Sequence, residues 1–249
     1  MKIKAPLLFF FVASLTIVSC GQHHELSGKV TDAKTDKPIQ GAAVSIKIKG
    51  QPDIVLKTDS AGVYKFDTAQ INLSQVYEII ASCPEKEYLA RKITSADGTI
   101  SKKAPFNFKL WYAEDSRVFH FPKVEYDFDR ATLKETSKDS LNYLVELMKD
   151  NPTIKIQIDV HSAPIDEDNW SKHSFHMTQA RAESCAHYLI TQGIDSARVV
   201  PKGWGASQSF PGCSRVDIAK MKTQKEKDAA QEINRRTEFR VLSFDYKAK

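Results

Sequence analysis

The feature that most limits what this chain can become is a change of hydrophobic period near residue 112. Before it, apolar residues recur at every second position in short runs: Leu26 to Val30, Ala43 to Ile48, Val55 to Thr58, Val63 to Phe66, Val76 to Ala81, Tyr88 to Ile93 and Phe106 to Leu110. Gly, Pro, Asp, Asn and Ser clusters separate them, and successive side chains of a strand leave opposite faces, so each run reads as a half-buried strand. Strands at this spacing over residues 26–112 predict an all-β sandwich. Residues 113–249 read differently. A charged connector, Tyr112 to Arg117, leads to a strand over Val118 to Phe128. A helix follows with Leu141, Leu144, Val145, Leu147 and Met148 on one side, stopped by Asn151-Pro152. Ile154, Ile156 and Ile158 then alternate with Lys155, Gln157 and Asp159, which predicts a strand with one buried face. A second helix, capped by Asn169 or Ser171 and ended by Gly193, buries Met177, Ala180, Ser184, Cys185, Tyr188 and Leu189. Strands over Arg198 to Lys202 and Thr237 to Phe244 complete an α+β domain, with helices on one face of a mixed sheet.

The start of the chain bears on where these domains work. Lys2 and Lys4 precede an uncharged, mostly apolar run of 14 residues, Ala5 to Val18, too short for a membrane-spanning helix and suited to an export signal. Its end, Ile17-Val18-Ser19-Cys20, resembles a bacterial lipobox. That implies a signal peptide over residues 1–19, a lipidated Cys20 and a linker over 20–25, and anchoring through acyl chains rather than spanning. Loss of the two signal lysines lowers the formal charge from +5 to +3, and no concentrated basic face suggests a nucleic-acid binder. Cys83, Cys185 and Cys213 remain. Cys185 reads as a buried thiol, whereas Cys83 and Cys213 fall in predicted loops and could pair only if the domains touch. His161, His173, His176 and His187 lack the second ligand pair of a metal site, and no nucleophile-and-base order of a hydrolase is present. The expectation is no metal, no cofactor and no enzyme.

Several motifs carry a resemblance. Met177-Thr178-Gln179-Ala180-Arg181-Ala182, Gly203-Trp204-Gly205 and Asn234-Arg235-Arg236 resemble the helix, turn and last-strand signals of the OmpA C-terminal and peptidoglycan-associated lipoprotein family, and Asp129-Arg130-Ala131-Thr132-Leu133 its exit from the first strand. In the first module, Gly28 to Asp32, Pro38 to Val44 and Thr58 to Tyr64 resemble the carboxypeptidase-regulatory-like sandwich, through turn chemistry that describes a fold and not a site. It reads as a spacer or a contact surface for other envelope proteins.

The resemblance implies binding of meso-diaminopimelate, whose side-chain end carries an ammonium and a carboxylate. Arg181 would grip the carboxylate through its planar donor fork. Arg235 would help form the cleft, Asn234 would fix the entry to the last strand, and both are counted with His161 among the binding residues. The family's ammonium partner, an aspartate, is matched here by Ala163, 18 residues before Arg181, whereas Asp166 falls at the family's spacing of 15. Either Asp166, or its neighbours Glu167 and Asp168, supplies the carboxylate from a remodelled loop, or the ammonium is not gripped. The implied function is an outer-membrane, periplasm-facing lipoprotein that holds peptidoglycan without covalent chemistry. The rival is an envelope adhesion or assembly scaffold whose wall site has decayed.

Overall fold

A computed structural model describes residues 26–67, 71, 75–95, 105–113, 118–120, 124–164 and 170–247. The expected signal peptide, Cys20 and the acidic stretch Asp166 to Asp168 lie outside these residues.

Strands β1 (Leu26–Asp32), β2 (Ala43–Ile48), β3 (Ile54–Lys57), β4 (Val63–Phe66), β5 (Tyr77–Cys83), β6 (Tyr88–Thr94) and β7 (Phe108–Leu110) account for the period-two region. They form two sheets, ordered β4-β1-β7 and β3-β2-β5-β6. β1 runs antiparallel to β4, with Leu26 opposite Phe66, and parallel to β7, with Val30 opposite Phe108. In the second sheet every pairing is antiparallel. Leu26, Val30, Phe66 and Phe108 of the first sheet share one buried cluster with Val44, Ile46, Ile79 and Ala81 of the second. The Tyr88 hydroxyl donates to Asp32 Oδ2 at 3.0 Å and ties the two sheets at their rim.

The second region contains β8 (Val118–His120), α1 (Lys138–Asp150), β9 (Lys155–His161), α2 (Trp170–Thr191), β10 (Val199–Gly205), α3 (Arg215–Lys220), α4 (Gln224–Asn234) and β11 (Thr237–Ser243). Its sheet has the order β10-β9-β11-β8 and is mixed: β10 lies parallel to β9, and β11 antiparallel to both β9 and β8. Ile154 and the β9 residues Ile156, Ile158 and Val160 pack with Leu141, Leu144 and Met148 of α1 and Ala182, Cys185 and Leu189 of α2, so both helices cover one sheet face. Arg198 closes this core. Its Nε donates to Ile154 O, and its Nη2 to Met148 O and Asn151 O, which places a cation on the carbonyl end of α1, where the helix dipole favours it. α3 and α4 each start with a capping box, Ser214 with Asp217 and Thr223 with Glu226, and form a small cluster of their own with Cys213, Ile218 and Ala230.

The two regions meet through β6 and α1. Leu89, 1% exposed, and Ala113 belong to the second region's core. Asn151, buried at the end of α1, accepts from Ala90 N at 2.6 Å through Oδ1 and donates to Ala90 O at 3.2 Å through Nδ2, much as a neighbouring strand would. Lys92 lies 3.6 Å from Asp150, and Arg91 Nη1 donates to the Tyr143 hydroxyl at 2.8 Å.

Four expectations need correction. Of the expected first strand, β8 covers Val118–His120, and among the described residues beyond it Tyr126 bridges to Leu133 across a turn instead. α2 buries Cys185 and Leu189 as expected, but the rest of its buried side is Ser174, Thr178, Ala182 and Ala186 rather than Met177, Ala180, Ser184 and Tyr188, because this helix packs small and polar residues against backbone. Asp159, placed by alternation on an open face, is 0% exposed. Cys83 ends β5 rather than lying in a loop, and Cys83, Cys185 and Cys213 are all free and buried.

Candidate functional site

α2 is held against β10 by backbone contact, and this fixes where its exposed flank points. A Cβ added to Gly203 would fall 2.2 Å from Gln179 N, so only glycine lets the strand lie this close. Gly205 N donates to Thr178 Oγ1 at 2.9 Å, and Gly203 N to Gln179 Oε1 at 2.8 Å. The helix motif and the Gly-Trp-Gly turn are therefore two halves of one contact.

On the other flank of α2, Arg181 turns towards the loop 126–133. That loop is closed by Asp127 N bonding to Thr132 O and Arg130 N to Asp127 O, with Asp129 in the left-handed region at φ 51°, a conformation an aspartate tolerates. The turn aims the Arg130 carbonyl at the helix, and Arg181 Nε donates to it at 3.0 Å. The guanidinium lies over the Tyr126 ring, 4.8 Å from its centre. Tyr126 is itself fixed: its hydroxyl sits 3.2 Å from Cys185 Sγ and 3.2 Å from Thr237 Oγ1, which links α2 to the start of β11. Burial pushes the Cys185 thiol up to about 11. Burial also draws the Arg181 guanidinium below its usual range, while the charge of Asp129 acts in the opposite direction. Among the described residues Arg181 makes no ion pair, so its terminal nitrogens keep donors for an anion. Asp129 also faces His173, with Nε2 3.4 Å from Oδ1. The arrangement offers a half-buried donor fork beside an exposed carboxylate, which suits a small zwitterion.

Residues 125–218 match the model of the OmpA family. Residues 125–218 form an OmpA-like domain. The chain is 30% identical over 106 residues to "Probable lipoprotein YiaD" of Escherichia coli K12, covering 41% of this chain and 46% of that protein. It is 25% identical over 118 residues to "Outer membrane porin F" of Pseudomonas fluorescens, covering 47% and 32%. The chain thus spans less than half the length of the curated relatives it matches. Among solved structures, the peptidoglycan-associated lipoprotein from Burkholderia pseudomallei aligns at 17% identity and a TM-score of 0.36, over 51% of this chain and 90% of that one.

Within the OmpA-like domain and the helix and strand that follow it, the expected site residues that are described do not gather at one point. Asn234, fully buried, donates through Nδ2 to Cys213 O and Ala230 O and accepts from Phe210 N, so its amide fixes the loop before α3 and has no group left over. Arg235 is exposed and paired with Glu232 within its own helix turn, at 2.9 Å. His161, 3% exposed, faces the sheet side away from the helices, stacked on Trp204. Its Nε2 lies 3.4 Å from Glu238 Oε2, at an orientation that leaves both ring nitrogens without a well-formed hydrogen bond. Glu238 also takes Arg236 Nε at 2.6 Å. Burial alone would raise its carboxyl, but the contacts with His161 and Arg236 outweigh that and hold it at about 2. Ala163, where the family's acid was expected, is a buried methyl and contributes no charge. Asp166 lies outside the described residues. Sequence reasoning gave Asp129 only the exit from the first strand and Tyr126 no role, although a Tyr-Asp-Phe-Asp run before the Ala-Thr-Leu signal marks both. Among the described residues no group of His, Cys, Asp and Glu could hold a metal ion.

Proposed function

We propose that the chain is an outer-membrane lipoprotein, anchored through lipid on Cys20 and facing the periplasm, whose OmpA-like domain holds peptidoglycan without covalent chemistry. The observation that carries this reading is Arg181: seated on Tyr126, oriented by the Arg130 carbonyl, and free of ion pairs among the described residues. A guanidinium fixed in this way can close two parallel hydrogen bonds on the side-chain carboxylate of diaminopimelate with little further loss of freedom. Asp129, whose charge already acts on Arg181, is the described acid available for the ammonium, and Asp166 is a second source from the loop expected before α2. The similarity to a probable lipoprotein and an outer-membrane porin supports the location. The first module, in this reading a carboxypeptidase-regulatory-like sandwich, is a spacer or a surface for other envelope proteins.

Co-sedimentation with purified sacculi tests the reading. Wild-type protein is expected to pellet with the wall, and Arg181→Ala to lose roughly thirtyfold or more in affinity, on the usual cost of about 2 kcal/mol or more for removing one partner of a desolvated charge pair. Asp129→Asn and Asp166→Asn, made separately, report which acid serves the ammonium. The buried Ala163 favours a second reading, an assembly scaffold without wall affinity, and a wild-type protein that stays in the supernatant would establish it.

A further inference from the structure

A second cleft lies at the end of β10, on the flank of α2 away from Arg181. It encloses about 550 Å³ and is lined by Phe175, Lys202, Trp204, Ala206 and Ser207. Its main wall is held with unusual care. The register of β10 on β9 shifts between Gly203 and Gly205, a bulge that re-aims Trp204. The indole Nε1 then donates to Asp159 Oδ1 at 2.5 Å. Asp159 is fully buried and is fixed in turn by Gln157 Nε2 at 2.8 Å and Arg240 Nε at 2.7 Å. A buried carboxylate pinned by an arginine and a glutamine thus sets the angle of one surface aromatic ring. Phe175, 43% exposed, lines the same cleft from α2. The Lys202 ammonium stands over the indole, 5.1 Å from the ring centre, and among the described residues no carboxylate pairs with it. Ser207 completes the lining, with its hydroxyl turned to the Trp204 carbonyl.

We infer that this cleft is a sugar subsite that takes a pyranose bearing a carboxylate, the chemistry of a muramic acid residue whose lactyl group is free. The C–H face of the ring lies against Phe175 and the part of the indole that the stacked His161 and the Lys202 ammonium leave open, burying apolar area without needing polar partners. Lys202 supplies the charge that the carboxylate matches. A fixed indole favours a rigid flat ligand over a flexible chain, since no aromatic rotamer has to be ordered on binding. The inference rests on the wall-binding reading for its source of ligand, but its geometry is independent of Arg181.

The test is a titration of the full chain with N-acetylmuramic acid, and in parallel with N-acetylglucosamine, followed by nitrogen–proton NMR. The Trp204 indole signal is assigned by its loss in Trp204→Phe. Expected is a saturable shift of that signal, with N-acetylmuramic acid binding about two- to fivefold more tightly than N-acetylglucosamine, the range for one exposed charge pair. Lys202→Gln should remove that preference while keeping the indole signal in place. No shift with either sugar, equal affinity for both in the wild type, or a preference that survives Lys202→Gln would each overturn the inference. Failure of the wall-binding reading appears elsewhere, in the sacculus pellet and its dependence on Arg181, so the two can fail separately.

Discussion

Arg181 has one N–H fixed on a backbone carbonyl and one face covered by an aromatic ring, which removes most of the freedom that an exposed arginine gives up when it grips a ligand. Its neighbours in the sequence motif do different work. Gly203 tolerates no side chain, because an added methyl meets the backbone of Gln179. Gly203→Ala should destabilise the domain by about 3 kcal/mol, the upper range for forced overpacking, and urea unfolding would show it as a lower midpoint at unchanged slope. Asn234 is the converse case, a polar group whose value is internal. Asn234→Ala removes the side-chain bonds to Phe210 N and Cys213 O from a buried site, and a loss of about 2 to 3 kcal/mol in the same assay is expected. The sequence names Asn234 as important, but not whether it serves ligand or loop. Only its three internal partners decide that.

At the scale of elements, legibility follows how far each element obeys its hydrophobic period. α1 buries Leu141, Leu144, Val145, Leu147 and Met148, the residues its spacing names. α2 defeats the same reasoning, because the side facing β10 is made of Thr178 and Ser174 and of small residues that admit glycine backbone. β9 half obeys. Ile156, Ile158 and Val160 face the helices, but Asp159 and His161 are as buried as the isoleucines, within a polar layer that alternation would leave to water. That layer has a pH consequence. Glu238 is held at about 2 against an ordinary value near 4.5, so its stabilising pairing is complete above about pH 4.5 and is lost as pH falls towards 2. Unfolding free energy should therefore drop between pH 5 and about pH 2 in the wild type, and Glu238→Gln should flatten that slope while being less stable at pH 6. A slope unchanged by the substitution would assign acid sensitivity to other carboxylates.

Across the whole molecule, the change of period near residue 112 is legible as a boundary but not as a joint. Nothing in the pattern says that Leu89 enters the second region's core or that Asn151 closes on Ala90, since both are long-range contacts between elements of different type. The joint predicts that the first region is held rather than loosely strung. Asn151→Ala should expose the Ala90 amide to hydrogen exchange about tenfold or more faster, on a cost of at least about 1.4 kcal/mol for unpairing buried backbone. The first region then holds the second, with the proposed Arg181 site, at a set orientation. What that site reads is tested most directly by calorimetric titration of the full chain with two stem tripeptides, one ending in meso-diaminopimelate and one in lysine, which differ in a single side-chain carboxylate. A preference of about tenfold or more for the diaminopimelate peptide, erased by Arg181→Ala, is the expected result, in the range of a charge-assisted guanidinium–carboxylate pair. Equal affinity for the two peptides, or a preference that Arg181→Ala leaves intact, would contradict the role given to that guanidinium.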